Sequence, residues 1–257
     1  AAEAAGGSGF LAAFAAGITI AALDVELCDC FLDYGEATAE MFLLLTFATG
    51  LVDAISVLVL GHVFVANMTG NVIFLGFWFV PHSGVDMTAA VVAFVSFLVG
   101  TVMGGRFARH LDYEVRVWLT AALGTEVVLM TALAVLAGAG VLDYHDNRKL
   151  IIIAGLAVTF GAQNAAARQF GIQELSTTVL TSTIVGIGVD SRLAGGTGQR
   201  EKLRYGVVLT MLGGAAVGAT MSRFTVAPVI GLAALTVAAS LAIFRYGPRW
   251  APAQTCA

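Results

Sequence analysis

The sequence predicts an all-α integral membrane protein with about six transmembrane helices, two short broken or re-entrant helices and an inverted three-plus-three repeat. Composition, the lengths of the apolar runs and the placement of Arg and Lys lead to this fold class. Of the 257 residues, 58% are hydrophobic and 12% are charged, whereas a soluble domain is about 45–50% apolar and about 25% charged. Too few charged side chains remain to cover a water-facing surface.

Several function classes find no support in the sequence. A net charge of −4 does not favour a nucleic-acid partner. The cysteines have no second Cys/His pair at metal-ligand spacing, so we interpret them as free thiols and expect no metal or other cofactor. Because no Ser/His/Asp, HExxH or paired-carboxylate pattern occurs, we expect no enzymatic activity. The three cysteines are Cys28, Cys30 and Cys256.

Six apolar runs have the length of a membrane span, which is about 20 residues for about 30 Å of hydrocarbon. Backbone groups in lipid must be hydrogen-bonded within a helix or a closed barrel. The runs are continuously apolar and do not alternate with period two, so they predict helices rather than barrel strands. They cover residues 41–60, 87–105, 117–142, 150–167, 205–222 and 224–244.

Three other apolar runs are ambiguous. Residues 63–81 are long enough to span, whereas residues 175–189 are short and rich in Ser and Thr, and each run carries a polar cluster. Residues 10–23 form a run that is too short to span, so it is either an interfacial helix or part of a longer tilted one. We therefore divide the chain into an N-terminal extension, residues 1–37, and a single transmembrane domain, residues 38–250.

The transmembrane domain shows signs of an internal duplication, with one half over about 41–142 and the other over about 150–245. Three pairs of short segments correspond in the same order, and the shift between them drifts only from 111 to 114 residues. These pairs are GLVDA (50–54) with GAQNA (161–165), MTGNV (68–72) with LTSTI (180–184), and Gly100-xxx-Gly104 with Gly214-xxx-Gly218.

The positions of Arg and Lys favour one topology. If the six long runs and residues 63–81 and 175–189 all crossed, the cytoplasmic loops would hold eight of these residues and the outer loops five. If 63–81 and 175–189 instead entered and left on one side, the numbers would be ten and three. The positive-inside rule favours the second arrangement, with both termini cytoplasmic. Each half then crosses three times, so the halves are inverted, as in many secondary transporters.

Two signatures resemble a known family. Both are similar to signatures of the YoaK-like family of bacterial membrane proteins, a domain of unknown function. The first signature consists of residues 50–54 (GLVDA) and 64–72 (FVANMTGNV), and the second of residues 161–165 (GAQNA) and 178–181 (TVLT). The resemblance covers about residues 38–245. The family's second signature often reads Thr-Gly, whereas this chain has Thr181-Ser182. The resemblance implies a multi-pass protein of the bacterial inner membrane with about six helices, and it implies no particular substrate.

The polar clusters are candidate substrate-binding residues. Glycine permits unusual backbone dihedrals and close approach, and Asn and Thr side chains can replace the hydration shell of a solute. Two such breaks facing each other would form a site between half-helices near the midplane. The alternative is a polar contact that holds helices together. The candidates are Asn67, Thr69, Gly70 and Asn71 in the first half, and Thr181, Ser182 and Thr183 in the second.

Two acids lie inside predicted spans. Asp53 and Glu126 would each cost roughly 2.5–3.5 kcal/mol at the centre of a span, so each needs a partner or a function. We interpret both as candidates for proton or ion coupling, with hydrogen-bonded packing contacts as the alternative. Asn164 corresponds to Asp53 in the duplication and is a candidate ligand of the solute.

The function that these features favour is a secondary transporter or permease for a small polar or anionic solute. A channel, or a membrane scaffold or regulatory protein without transport, remains the alternative. We expect the lipid bilayer and a small-molecule solute as partners and no nucleic acid. The Gly-xxx-Gly pairs indicate close packing, either between the two halves or in a homodimer.

The predicted topology can be tested by cysteine labelling in intact cells. A cysteine at His82 should react with a membrane-impermeant reagent from outside, whereas cysteines at Arg109 and Arg192 should react only after the membrane is permeabilised. Labelling of Arg109 from outside would contradict the topology, because the predicted arrangement places that position in a cytoplasmic loop.

Overall fold

The computed structural model describes residues 25–80, 84–110, 115–169, 180–196 and 201–246. Within these ranges every regular element is helical and none is a strand, so the all-α prediction is confirmed. The α-helices are α1 Val25–Ile55, α2 Met68–Gly76, α3 Met87–His110, α4 Val115–Gly138, α5 Lys149–Gln169, α6 Leu180–Val189, α7 Glu201–Met221 and α8 Ala227–Tyr246. A π-helical turn, Ser56–Leu60, extends α1, and a 3-10 turn, Phe77–Phe79, extends α2.

Six helices are long and apolar enough to cross a bilayer, which confirms the predicted number. The candidate spans are Ala39–Leu60, Met87–His110, Val117–Gly138, Lys149–Ala166, Lys202–Met221 and Ala227–Tyr246. Helices α2 and α6 have nine and ten residues. At 1.5 Å per residue they reach only about 15 Å, half of a typical hydrocarbon core.

Some boundaries differ from the sequence prediction. The described part of α1 includes Val25 and the residues after it, so this helix extends into the predicted N-terminal extension, and the apolar run 10–23 lies outside the described residues. Helix α4 ends at Gly138 rather than at 142, because the chain turns at Gly140 with a φ of 71°. The backbone of that turn is in the left-handed region, which favours glycine.

Gly61 and Asp86 lie next to each other at one end of the bundle. Gly61, with a φ of 139°, ends the helical path, and its carbonyl oxygen accepts a hydrogen bond of 3.2 Å from the Asp86 N–H. The Asp86 carboxylate caps α3 at the Ala89 N–H (3.1 Å) and pairs with Lys149 Nζ (2.7 Å). Partial burial alone would raise the pKa of Asp86, but Lys149 and the Ala89 N–H lower it below its ordinary value. These contacts join the end of α1 to the starts of α3 and α5.

Helices α1 and α5 are the most buried spans, whereas α3, α4 and α7 bury few of their residues. The most extensive helix pairs are α3 with α5, α1 with α7, and α8 with both α4 and α1. Apolar side chains cover the exposed faces, as a lipid-facing surface requires. They include Val95, Leu98, Val128, Val135, Leu209 and Leu212.

Glycines let the paired helices touch backbone to backbone. A Cβ added at Gly100 would overlap the carbonyl oxygen of Val158, and one at Gly214 would overlap that of Phe47. The Gly100–Val158 contact joins α3 to α5, and the Gly214–Phe47 contact joins α7 to α1. Each glycine therefore packs one half of the chain against the other. The sequence left open whether these glycines serve the halves or a homodimer, and these contacts are within the chain.

The glycine contacts correspond under the shifts of 111 and 114 residues that relate the halves. The matched pairs are Gly100–Val158 with Gly214–Phe47, Gly161–Phe97 with Gly50–Met211, and Gly104–Ala162 with Gly218–Leu51. The inverted orientation of the two halves stays a prediction.

Gly100 and Gly124 provide a matched test of this packing, because nothing lies within 4 Å of a Cβ added at Gly124 in α4. We expect Gly100→Ala to lower the free energy of unfolding by about 1–3 kcal/mol through overpacking. Gly124→Ala should leave it unchanged or raise it by up to about 1 kcal/mol, since alanine favours helix. Unfolding of the two purified variants in detergent would measure both, and equal effects would contradict the packing described.

Candidate functional site

The segment between α1 and α2 folds back into the bundle and is held there by Asp53. The N–H groups of Val65 and Ala66 each donate to Asp53 Oδ1 at 3.0 Å, and Asn67 Nδ2 donates to Oδ2. Asp53 precedes Leu60, the end of the first span, by about two helical turns, so it sits about 10 Å deep along the helix. Helix α2 therefore starts inside the bundle at the depth of Asp53.

Asn71, in the first turn of α2, holds the same segment from the other side. Its Oδ1 accepts from the Phe64 N–H (2.8 Å), and its Nδ2 donates to the Phe64 carbonyl oxygen (2.5 Å). The Phe64 ring stacks on Phe74 with centroids 5.9 Å apart. It lies so close to Gly70 that a Cβ there would be 2.5 Å from the ring. Gly70 thus makes room for Phe64, and Asn71 satisfies both of its backbone polar groups.

The candidate residues of the second half are placed differently. Of the three hydroxyl side chains at the start of α6, Thr183 is buried, whereas Thr181 and Ser182 are exposed, as is Thr69 on α2. Asn164 Nδ2 donates to the Phe160 carbonyl oxygen (2.9 Å) on its own helix, α5. The segment before α6, residues 170–179, lies outside the described residues. The predicted site between two facing half-helices stays a prediction.

Helix α6 is fixed to α7 by one arginine. Arg204 Nη1 donates to the Gly186 carbonyl oxygen (2.8 Å) and pairs with Asp190 Oδ2 (2.5 Å). Helix α2 packs mainly on α3 in the first half, as α6 packs on α7 in the second. Each short helix is thus attached to the span that follows it.

A groove runs beside the Asp53 carboxylate. It has a volume of about 260 Å³ and lies between α1, α7 and the non-helical residues 61–67, called here the re-entrant segment. Asp53 and Asn67 are its most polar lining residues, and Gly50, Phe64 and Met211 form part of its walls. The surface of the groove is almost entirely apolar, because Asp53 is only 5% exposed and both of its carboxylate oxygens accept hydrogen bonds from the chain.

A separate cavity of about 200 Å³ lies between α3, α4 and α5. Glu126 on α4 and Gln163 on α5 line it, and both are more than nine-tenths buried. No described residue makes a hydrogen bond with Glu126 Oε1 or with Gln163 Nε2. The lining hydroxyls of Thr125 and Thr159 donate within their own helices, each at 2.8 Å. Glu126 Oε1 and Gln163 Nε2 could therefore bond to a ligand in this mostly apolar cavity.

Glu126 and Gln163 lie at a similar depth. Glu126 lies about three to four helical turns before the end of α4 at Gly138, and Gln163 lies about as far after the start of α5 at Lys149. These helices are consecutive in the chain, so both residues line the cavity at about the level of the middle of α4. The sequence predicts a functional role for Glu126 but not for Gln163. Their similar distance from the connection is the signal that could have identified the pair.

Comparison with known proteins identifies the family. Residues 41–243 match the family described as "Protein of unknown function (DUF1275)". The chain belongs to this family. The DUF1275 protein is also 32% identical, over 148 residues, to the UPF0700 transmembrane protein YoaK of Bacillus subtilis (strain 168). That alignment covers 56% of this chain and 63% of YoaK, so it spans less than two thirds of the relative's length. No solved structure matches the chain.

These matches confirm the YoaK-like resemblance and a transmembrane protein of a family whose function is unknown. The six apolar helices accordingly contact a lipid bilayer. Within the described ranges, no group of three or more His, Cys, Asp or Glu side chains could hold a metal ion.

The two polar contacts of Asn71 in the DUF1275 protein can be tested against a neighbouring residue. Asn71→Ala removes the partners of the Phe64 N–H and carbonyl groups. We expect this substitution to lower the free energy of unfolding by about 1–3 kcal/mol or more. Thr69→Ala, at an exposed position in the same helical turn, should change it by no more than about 0.5 kcal/mol. Thermal unfolding of the two purified variants measures the difference, and a stable Asn71→Ala protein would contradict the assigned role.

Proposed function

We propose that this DUF1275 protein is a secondary transporter of a small polar solute in the bacterial inner membrane, with both termini cytoplasmic. One observation carries the proposal: α2 starts inside the bundle beside the groove at Asp53. Non-helical backbone at membrane depth is tolerated where it is buried in protein or lines a cavity. Interrupted helices of this kind form the binding sites of many secondary transporters.

The matched contacts of the two halves support the proposal. Each half has three long helices and one short helix, and glycines at corresponding positions join one half to the other. Inverted repeats of this composition provide alternating access when one half rocks against the other around a fixed site. Because the helices touch through their backbones at the glycines, few interlocking side chains would have to separate when one half moves against the other.

The charges around the cavities narrow the class of solute. Neither the groove at Asp53 nor the cavity at Glu126 has a Lys or Arg among its lining residues. An anion would meet a carboxyl group in either place without a compensating cation. Of the two solute classes that the sequence suggested, this favours a neutral polar or cationic solute over an anionic one.

A scaffold without transport is the second candidate, and one observation favours it. Both carboxylate oxygens of Asp53 accept hydrogen bonds from the re-entrant segment, and both polar atoms of the Asn71 side chain bond to Phe64. These side chains therefore have a structural role without any solute. The two candidate functions differ in the expected effect of removing the charge of Asp53: a transporter coupled through Asp53 should lose solute accumulation, whereas a scaffold has no accumulation to lose.

Transport can be tested with purified protein in liposomes. We would impose a pH gradient and follow the accumulation of radiolabelled alanine, glycerol, urea, glycine betaine and methylammonium. If the protein is a transporter, at least one solute should accumulate faster than in protein-free liposomes. Asp53→Asn, whose Oδ1 can still accept from Val65 and Ala66, should fold but lose gradient-driven accumulation. Gly124→Ala, at a position with open space around it and outside both cavities, should resemble the wild type.

The opposite results would favour the scaffold. If none of the solutes enters faster than in protein-free liposomes, the transporter proposal fails for these classes of solute. If Asp53→Asn accumulates a solute as the wild type does, the coupling assigned to Asp53 is wrong.

A further inference from the structure

The cavity between α3, α4 and α5 shares no lining residue with the groove at Asp53. We propose that it is a binding site for a small organic ammonium ion, which replaces a proton on Glu126. The carboxylate of Glu126 would hold the ammonium group, and the apolar walls would hold the body of the ligand. This site would exist whether or not the protein transports a solute through the groove.

Glu126 needs a neutralising partner at its depth. Its side chain is 4% exposed, and no described residue donates to its Oε1. An ionised carboxylate without a partner in such a place is strongly unfavourable. Either a proton or a bound cation must therefore accompany it. Asp53 differs, because three hydrogen bonds from the chain itself stabilise its carboxylate.

No fixed cation of the chain meets this need within the described structure. Glu126 is the only titratable residue that lines the cavity. Lys149 pairs with Asp86, and Arg109 donates to the Gly105 carbonyl oxygen. Helices α3, α5 and α8 pack against α4, and their described charged or titratable side chains lie near the helix ends. None of these side chains lines the cavity. They are Arg106, Arg109 and His110 on α3, Lys149 on α5, and Arg245 and Tyr246 on α8.

The walls of the cavity suit an organic cation. Trp118 and Phe107 supply aromatic faces, which attract ammonium groups. Gln163 supplies a carboxamide, and flipping that group end for end presents its carbonyl oxygen in place of Nε2, so it can accept from the ligand. An ammonium ion with two or three N–H donors could then bond to Glu126 and Gln163 together.

The cavity is open on its outer flank. Met103 and Phe107 on α3 are 57% and 43% exposed, and Leu129 on α4 is 40% exposed. These residues line the cavity and face outward, where the bilayer lies. Helices α3 and α4 touch little along their length. An amine with an apolar body can partition into lipid and reach Glu126 through this flank.

The corresponding place in the other half has neither polar group. The shift of 114 relates Glu126 to Ser240, whose hydroxyl donates to the Met41 carbonyl oxygen at 3.2 Å. The shift of 111 relates Gln163 to Val52, which is fully buried. The half that contains Ser240 and Val52 at these positions therefore folds without an acid or an amide there. Helix packing alone does not account for Glu126 and Gln163.

Exchange at this site is balanced in charge and atoms. A protonated Glu126 releases its proton to water as the ammonium ion enters, and the carboxylate and the ammonium ion form a pair. The total charge in the cavity is zero before and after binding. Binding should therefore release about one proton for each cation and weaken by about tenfold for each unit by which the pH falls, while Glu126 is protonated in the free protein.

The test compares three probes of nearly equal size on the full chain in lipid nanodiscs: benzylammonium, benzyl alcohol and benzoate. Isothermal titration in two buffers of different ionisation enthalpy gives both the affinity and the number of protons released. We expect the wild type to bind benzylammonium with release of about one proton, and to bind the other two probes at least about tenfold more weakly. Glu126→Gln should lose affinity for benzylammonium by at least about tenfold and release no proton.

The controls keep the result decisive. Ser240→Ala, at the corresponding position of the other half, should bind benzylammonium as the wild type does. If Glu126→Gln does not fold, Gln163→Leu replaces it and should weaken binding several-fold. The proposal is overturned if the wild type does not bind benzylammonium, if benzyl alcohol binds equally well, or if the affinity of the folded variant is unchanged. Binding without solute flux would refute the transporter and leave this site intact, and flux without binding would do the reverse.

Discussion

The structure depends on how the polar groups of one non-helical stretch of backbone are hydrogen-bonded inside the helix bundle. Residues 61–67, between the π-helical turn and α2, are not helical, and Val65 and Ala66 among them lie about 10 Å inside the end of the first span. Each unsatisfied backbone group at such a depth would cost several kcal/mol. Asp53 accepts from Val65 and Ala66, and Asn71 bonds to both polar groups of Phe64. Without these side chains the segment could not turn back into the bundle, and neither α2 nor the groove would be where it is.

A second constraint is that helices in lipid gain little from hiding apolar surface, because the lipid is as apolar as they are. Close van der Waals contact must hold them together instead, and small residues allow it. The two most extensive helix pairs, α3 with α5 and α1 with α7, are the pairs joined by backbone contacts at Gly100 and Gly214. Because both pairs cross between the halves, the same contacts that stabilise the bundle also define the surface along which the halves could move.

The sequence predicted the spans well because their signal is local: about 20 apolar residues must be helical in a membrane. It also selected Asp53 and Asn71, since polar residues in apolar runs are conspicuous. It could not predict their partners, because Asp53 reaches N–H groups 12 and 13 residues away and such contacts depend on the path of the re-entrant segment. Gln163 was missed because a single amide near the predicted end of a span has no distinctive pattern until α4 and α5 are paired. The functional roles of the selected residues stay predictions.

The two buried acids illustrate how the same residue class leads to different conclusions. Asp53 has all the hydrogen bonds that its carboxylate needs from the chain, so its burial is explained by the fold, whatever else it does. Glu126 is as deeply buried but makes no bond through Oε1 to any described residue, and it faces a cavity beside an amide whose Nε2 is also unbonded. An arrangement that lowers stability without a compensating contact is expected at functional sites. Since Ser240 and Val52 occupy the matching places in the other half, the fold itself does not require this arrangement, and a ligand at Glu126 is the simplest physical reason for it.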